Sequence, residues 1–295
     1  MINKNDLYVR DPYVYKENGL YYLLGTFRPV LNQEGKRRLY LYTSKDLVNF
    51  EGPHFLFDCD DTFWGEKALW APELYKYNGK YYIFVTFMGH GLRGTQILVS
   101  DKLLGPYKYL NNEPITPKEW DCIDGSLFVE NGVPYLTFVH SWNEVVNGHM
   151  DIVELSKDLT KRVGEPKILF KARDAKWVTR TREDENGGVT DGPFVYKKND
   201  TYYMLWSSYR NEIYCTEIAT SKNLLFGWTH QNEPLLSDDN GHGMIFIDDD
   251  KVKLIVHKPN RPKDNDFEKL QIIDFDDSTE GYQIIANQEI TKWKD

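Results

Sequence analysis

The feature that most limits how this 295-residue chain can fold is a turn signal that returns five times in one frame. Tyr15-Lys16-Glu17-Asn18-Gly19-Leu20-Tyr21-Tyr22 matches Tyr75-Lys76-Tyr77-Asn78-Gly79-Lys80-Tyr81-Tyr82. The frame continues through Val129-Glu130-Asn131-Gly132, Tyr196-Lys197-Lys198-Asn199-Asp200 and Ile247-Asp248-Asp249-Asp250. Asn-Gly between alternating apolar runs marks a two-residue hairpin, because a type I′ turn needs positive φ at both central residues. A Ser-led motif then closes a third strand-like stretch in four units, at Thr43-Ser44-Lys45-Asp46-Leu47, Val99-Ser100-Asp101-Lys102-Leu103, Leu155-Ser156-Lys157-Asp158-Leu159 and Thr220-Ser221-Lys222-Asn223-Leu224. The units recur about every 58 residues, each with three or four antiparallel strands and no long helical pattern. They predict an all-β fold, a five-bladed β-propeller forming one domain over residues 1–295. The charged stretch from Arg180 to Gly188 reads as a rim insertion, and Glu280-Gly281-Tyr282-Gln283-Ile284-Ile285 as a last strand that helps to close the ring.

Aromatic residues make up 15% of the chain, which suits strands and also supplies flat surfaces on which sugar rings stack. A formal charge of -9 argues against a nucleic-acid partner, since phosphate binding needs excess Lys and Arg, and a neutral ligand fits better. Cys59, Cys122 and Cys215 are too few and too scattered for a disulfide framework or a zinc site and read as small buried residues. Met1 to Asp6 has no apolar core of a secretory signal, and no apolar run nears the roughly 18 residues of a membrane span. The expectation is a cytoplasmic protein with no membrane partner, or a secreted one if a leader was removed.

The innermost strand of each blade faces the central channel, so the residue just before it lies near one mouth. In the hairpin frame those positions are Asp11, Ala71, Asp124, Gly192 and His242, with Asp191 and Glu73 within two residues of the ring. Acids far apart in sequence but in register in a repeat converge on one axis. Gathered carboxylates are the equipment of glycoside hydrolysis.

Five motifs in order carry a resemblance over nearly the whole chain: Arg10-Asp11-Pro12, Trp70-Ala71-Pro72-Glu73, Asp124, Asp191-Gly192-Pro193 and Gly241-His242-Gly243. The chain resembles the family 43 glycoside hydrolases, five-bladed propellers acting on arabinose-, xylose- and some galactose-containing glycans. The resemblance implies an inverting mechanism in which Asp11 is the general base, Asp124 keeps the proton donor protonated and oriented, and Asp191 is the general acid. Most of the family has Glu at that last position, in a Glu-Gly-Pro motif. Asp is one methylene shorter and reaches roughly 1.5 Å less far, a displacement that matters in catalysis, so Glu73, Glu183 and Glu185 stand as alternative donors. His242 resembles the family histidine that approaches a central cation, implying a largely hydrated Ca2+.

Trp70, Phe27, Trp142 and Trp206 are candidates to line the sugar pocket, with core packing between blades as the competing role. His140 and His257, each at the end of a strand-like run, suit substrate contact or strand-end packing, and Arg261 could reach sugar hydroxyls or remain a surface side chain. The leading function is an exo-acting α-L-arabinofuranosidase taking an oligosaccharide substrate, with β-D-xylosidase or galactosidase activity as the alternative. From other classes come a glycoside phosphorylase, which needs a basic cluster beyond Arg10 and Arg28, and a non-catalytic sugar-binding propeller.

Overall fold

The computed structural model describes residues 1–28, 38–179, 184–249, 251–263, 266–276, 283–286 and 289–292. Strands follow the repeat. Blade one consists of Tyr8–Glu17, Leu20–Arg28, Arg38–Ser44 and Asn49–Asp58, and blade two of Lys67–Tyr77, Lys80–Gly89, Leu92–Ser100 and Lys108–Tyr109. Blade three is Cys122–Glu130, Val133–His140, His149–Leu155 and Arg162–Lys171, and blade four Asp191–Lys198, Thr201–Arg210 and Ile213–Ser221. Blade five contains Gly241–Asp248, Lys251–Lys258 and Lys269–Asp276, extended by Gln283–Ala286 and Glu289–Lys292. The fold is the five-bladed β-propeller predicted from the repeat. Among the described residues no helix is long and apolar enough to cross a membrane.

The turn chemistry explains the hairpins. Asn18 and Gly19 hold φ of 52° and 74°, Asn78 and Gly79 46° and 77°, and Asn131 and Gly132 51° and 77°, the conformation that only a residue pair of this type adopts cheaply. The Ser-led turns cap the third strands: the Ser44 hydroxyl accepts from the Leu47 amide at 2.9 Å, Ser100 from Lys102 at 3.1 Å, Ser156 from Lys161 at 3.2 Å and Ser221 from Asn223 at 3.0 Å.

The hydrophobic core lies between blades. One cluster joins blades five, one and two through residues such as Met244, Leu23 and Ile83. Another joins blades three and four through Val139, Met150, Met204 and Trp206, and smaller clusters fill the seams between blades two and three and between four and five. Cys122 and Cys215 are fully buried in these seams, whereas Cys59 is half-buried. At the hairpin ends, three seams share one polar clasp, a Lys and a Tyr that converge on an acid of the preceding blade. Lys16 Nζ and Tyr21 OH each lie 2.6 Å from Asp248 Oδ1. Lys76 Nζ lies 2.6 Å from Glu17 Oε1 and Tyr81 OH 2.8 Å from Glu17 Oε2, while Lys197 Nζ and Tyr202 OH lie 2.6 and 3.0 Å from Glu130 Oε1.

The ring closes where Lys269 pairs with Tyr8 and the Val9 amide donates to the Glu268 carbonyl at 2.7 Å. Gln283–Ala286, expected to help with closure, pairs only with Lys269–Asp276 and Glu289–Lys292 among the described residues. It adds an outer strand to blade five.

Candidate active site

Every innermost strand is broken by a β-bulge at the same depth, with register shifts between Arg10 and Tyr13, Trp70 and Glu73, Ile123 and Ser126, Asp191 and Phe194, and Gly241 and Met244. A bulge bends the strand and re-aims its side chains. At each one the residue of the predicted ring takes positive φ: Asp11 53°, Ala71 46°, Asp124 57°, Gly192 53° and His242 52°. For a non-glycine residue this costs roughly 1–2 kcal/mol, and its repetition at one depth marks a place where geometry outweighs local comfort. Glycine is required in blade four by crowding as well, since a Cβ on Gly192 would sit 2.8 Å from the His242 ring.

The bulges open into a cavity of about 260 Å³ whose acids are Asp11, Asp124 and Asp191, with His242 beside them and Trp70 and Trp142 among its walls. Arg10, Thr26, Arg93 and Ile123 complete it. Two larger grooves, of about 390 and 570 Å³, lie elsewhere on the surface, but neither is lined by a buried acid. The chemistry therefore belongs to the smaller cavity.

Asp11 is 7% exposed and sits in a cage: His242 Nδ1 lies 3.2 Å and Arg10 Nε 3.4 Å from its Oδ1, and the Thr26 hydroxyl donates to Oδ2 at 3.3 Å. Its own amide donates to His257 Nδ1 at 3.3 Å. That fixes His257 as the neutral tautomer with its proton on Nε2, facing Asn260 Oδ1 at 3.1 Å, and burial with the nearby Arg10 charge holds its pKa well below 6.5.

Asp124 and Asp191 form a hydrogen-bonded pair that shares one proton. Burial, then the charge of Asp191, push the Asp124 carboxyl well above its ordinary 3.8. Burial also opposes ionisation of Asp191, but the hydrogen bond with Asp124, the His242 ring, the Tyr214 hydroxyl at 2.5 Å and the Arg10 charge together hold it below 3.8. The two carboxyls thus hold one proton between them. The Gly192 amide fixes the pair by donating to Asp124 Oδ2 at 3.1 Å, and Thr86 Oγ1 accepts from the Asp124 amide at 2.9 Å.

Several predicted site residues lie elsewhere. Trp206 is fully buried and packs on Phe170 and Trp177, so it is a core residue and cannot meet a sugar. Phe27 packs edge-on against Tyr42, beside the blade-one core. Glu73 turns below the cavity to Tyr75 and Ser126, and burial pushes its pKa up to about 8. His140 stacks on Trp120 with ring centroids 4.3 Å apart and bonds Glu144 Oε2 at 2.9 Å. His257 supports Asp11 from behind with no exposed surface. Arg261 is exposed, with its guanidinium 4.9 Å from the Tyr209 ring centre. Glu183 lies outside the described residues, and Glu185 is exposed.

Sequence reading missed Arg93 and Tyr214. Arg93 is clamped by Asp121, with Nε 2.8 Å from Oδ1, and bonds the Ser141 hydroxyl at 2.6 Å. An arginine inside the strand pattern Leu92-Arg93-Gly94-Thr95 was the available signal, whereas Tyr214 sits in an ordinary strand and gave none. Both cavity arginines, Arg10 and Arg93, face carboxylates, so the basic cluster that a phosphorylase needs is largely neutralised.

Three acids at the mouth of a propeller channel, one caged by Arg10, His242 and Thr26 and two sharing a proton, define a hydrolase that breaks glycosidic bonds by acid–base chemistry. The chain matches the model of the glycosyl hydrolases family 43 over residues 6–274 and belongs to that family. It is similar to the crystal structure of an endo-arabinase from Bacteroides thetaiotaomicron VPI-5482, with a TM-score of 0.84 and 38% identity over 92% of this chain and 95% of that one. It is also 23% identical to the extracellular exo-alpha-(1->5)-L-arabinofuranosidase ArbA of Cellvibrio japonicus, over 97% of this chain and 88% of the relative. The extracellular endo-alpha-(1->5)-L-arabinanase 1 of Bacillus subtilis is 22% identical over 80% of this chain and 70% of its own length.

Proposed function

We propose that the protein is an inverting glycosidase that hydrolyses α-L-arabinofuranosyl linkages of arabinan-type glycans, releasing one terminal unit at a time. The observation that carries this reading is the division of the acids into two stations. His242 stands between them, with Nδ1 3.2 Å from Asp11 Oδ1 and 4.0 Å from Asp124 Oδ2. Asp11, caged by His242, Arg10 and Thr26, is the carboxylate that takes a proton from the attacking water. Across the cavity the Asp124–Asp191 pair brings one proton to the leaving oxygen. Asp124 passes that proton to Asp191, which delivers it to the leaving oxygen, and solvent returns a proton to the emptied pair after each turnover, so the shorter side chain works as half of a dyad. Trp70, which is 39% exposed, and the half-buried Trp142 offer planes for the sugar.

Terminal action is supported by the cavity of about 260 Å³, below the usual range of roughly 300–1,000 Å³ for ligand pockets. The 38% identical endo-arabinase favours a second reading, internal cleavage of the same polymer. Ca2+ fits the donor set in part: Asp124, Asp191 and His242 offer three ligand atoms within 4.8 Å of one another, and two of the three are the oxygens calcium prefers. A bound Ca2+ there would supply positive charge beneath the acids. The proton of the Asp124–Asp191 pair and a directly ligated cation compete, so His242 is the residue that would hold the ion, with water supplying the oxygen ligands.

The test is digestion of linear 1,5-arabinan with the purified protein, following product size by chromatography and anomeric configuration by NMR. Arabinose of inverted configuration as the sole early product supports the exo reading, and a ladder of oligomers supports the endo one. A retained configuration, or full activity in Asp11→Ala or Asp191→Ala, would sink the mechanism.

A further inference from the structure

Away from the sugar cavity, blade three brings together a second set of ligating side chains. His140 ends the strand Val133–His140 and pairs directly across from His149, the first residue of the next strand. Asp151 follows His149 by two residues and so projects from the same face. One nitrogen of each imidazole and one carboxylate oxygen of Asp151 lie within 4.8 Å of one another, with His149 Nδ1 4.0 Å from Asp151 Oδ2.

An independent observation points to a ligand. Asp151 is 1% exposed, and its Oδ2 has no hydrogen-bond partner. Leaving such an oxygen buried and unmatched costs about 1–3 kcal/mol, and a strand position in a blade core would ordinarily be filled by an apolar residue. The two histidines are prepared as ligands. His140 already gives one nitrogen to Glu144 Oε2 at 2.9 Å, and that oxygen also accepts from the Asp121 amide at 2.6 Å, the outer carboxylate arrangement that orients metal-binding imidazoles. His149 turns its Nδ1 toward the unpartnered Asp151 Oδ2, 4.0 Å away.

We propose that His140, His149 and Asp151 form a second metal site, for a divalent first-row cation of the zinc class, distinct from the catalytic cavity. Two imidazoles and one carboxylate are a common donor set for such ions. Zinc bonds of about 2.0–2.1 Å in a tetrahedron place ligand atoms roughly 3.3 Å apart, so the three side chains close by about 1 Å or less each, leaving one position for water. The bound ion would tie the strand ends on either side of residues 141–148, the segment that carries Trp142 into the sugar cavity.

The experiment is equilibrium dialysis of the full-length protein against Zn2+, with metal content read by mass spectrometry, binding followed by calorimetry, and Co2+ added separately to read its visible bands. His242→Ala serves as a background in which the central cavity is disabled. The expected result is about one zinc equivalent retained in the wild type and in His242→Ala, with imidazole-type Co2+ bands and a melting midpoint that rises with zinc. Asp151→Asn, which keeps the volume and replaces the carboxylate ligand with an amide, loses the ion or binds it at least about tenfold more weakly. His149→Ala, at a partly exposed position, does the same and covers the case in which Asp151→Asn does not fold. A His242→Ala protein that retains no zinc, or folded ligand variants that bind it as tightly as their parent, would overturn the site.

Discussion

Replacing Glu73 with Gln separates stability from catalysis at a position that sequence reading placed in the site. Glu73 is 7% exposed, hydrogen-bonded by Tyr75 and near Ser126, and its pKa rises from 4.5 to about 8, chiefly through burial. An acid whose folded pKa exceeds its unfolded one stabilises the fold fully below the unfolded value, loses that contribution as pH rises, and has lost it all above the folded value. At about 1.36 kcal/mol per pKa unit, the loss between pH 4.5 and about 8 amounts to about 5 kcal/mol. Gln has nearly the same shape and does not ionise, so Glu73→Gln is immune to it. Urea unfolding of both proteins at pH 5, 7 and 9 should show the variant gaining progressively on the wild type, by about 4 kcal/mol over the whole range. Arabinan hydrolysis at neutral pH should stay within about twofold, because Glu73 does not line the cavity. A stability difference that stays flat from pH 5 to 9 would refute the account of burial. A loss of 10²-fold or more in kcat, the size of a general-acid effect, would show that Glu73 takes part in the chemistry after all.

Asp124→Asn removes the group that holds the dyad proton and leaves Asp191 ionised at neutral pH; the alkaline limb of the kcat/KM profile should move to lower pH, with a loss of about 10²–10⁴ at pH 7. An unmoved alkaline limb would remove Asp124 from the role of proton holder. Trp206→Ala should lower stability by about 3–5 kcal/mol in denaturant unfolding, the range for deleting a large buried aromatic side chain, and a cost below about 1 kcal/mol would contradict its core placement. Ala71→Gly, at φ of 46°, should raise the melting midpoint through relief of roughly 1 kcal/mol of strain. A drop would mean that the side-chain methyl matters more than the backbone there.

The turns were legible because Asn-Gly has one cheap backbone solution, and a fixed repeat of that solution sets the ring. Asp11, Asp124 and His242 followed from the same frame, and the structure brings them together. The frame was weaker beyond the bulge. Glu73 is two residues past Ala71, about 6.6 Å along a strand, enough to carry it below the cavity floor. Trp206 was misplaced because the second strand of a blade is covered on both sides, so burial leaves no alternation from which to read its direction. The environment of Asp191 was hidden for another reason: it depends on Tyr214 and Arg10 meeting that carboxyl in space, which no spacing along the chain encodes.

The three clasps at the hairpin ends sort the propeller into two mechanical halves. Blades five, one and two are fastened in series, as are blades three and four, and the two large apolar clusters divide along the same lines. Asp11 and His242 travel with the first half, Asp124 and Asp191 with the second. Breathing of the molecule would therefore leave the proton-sharing pair undisturbed while altering the gap between it and the water-activating carboxylate, so the span an inverting enzyme must regulate crosses the two joints at which no such clasp occurs among the described residues.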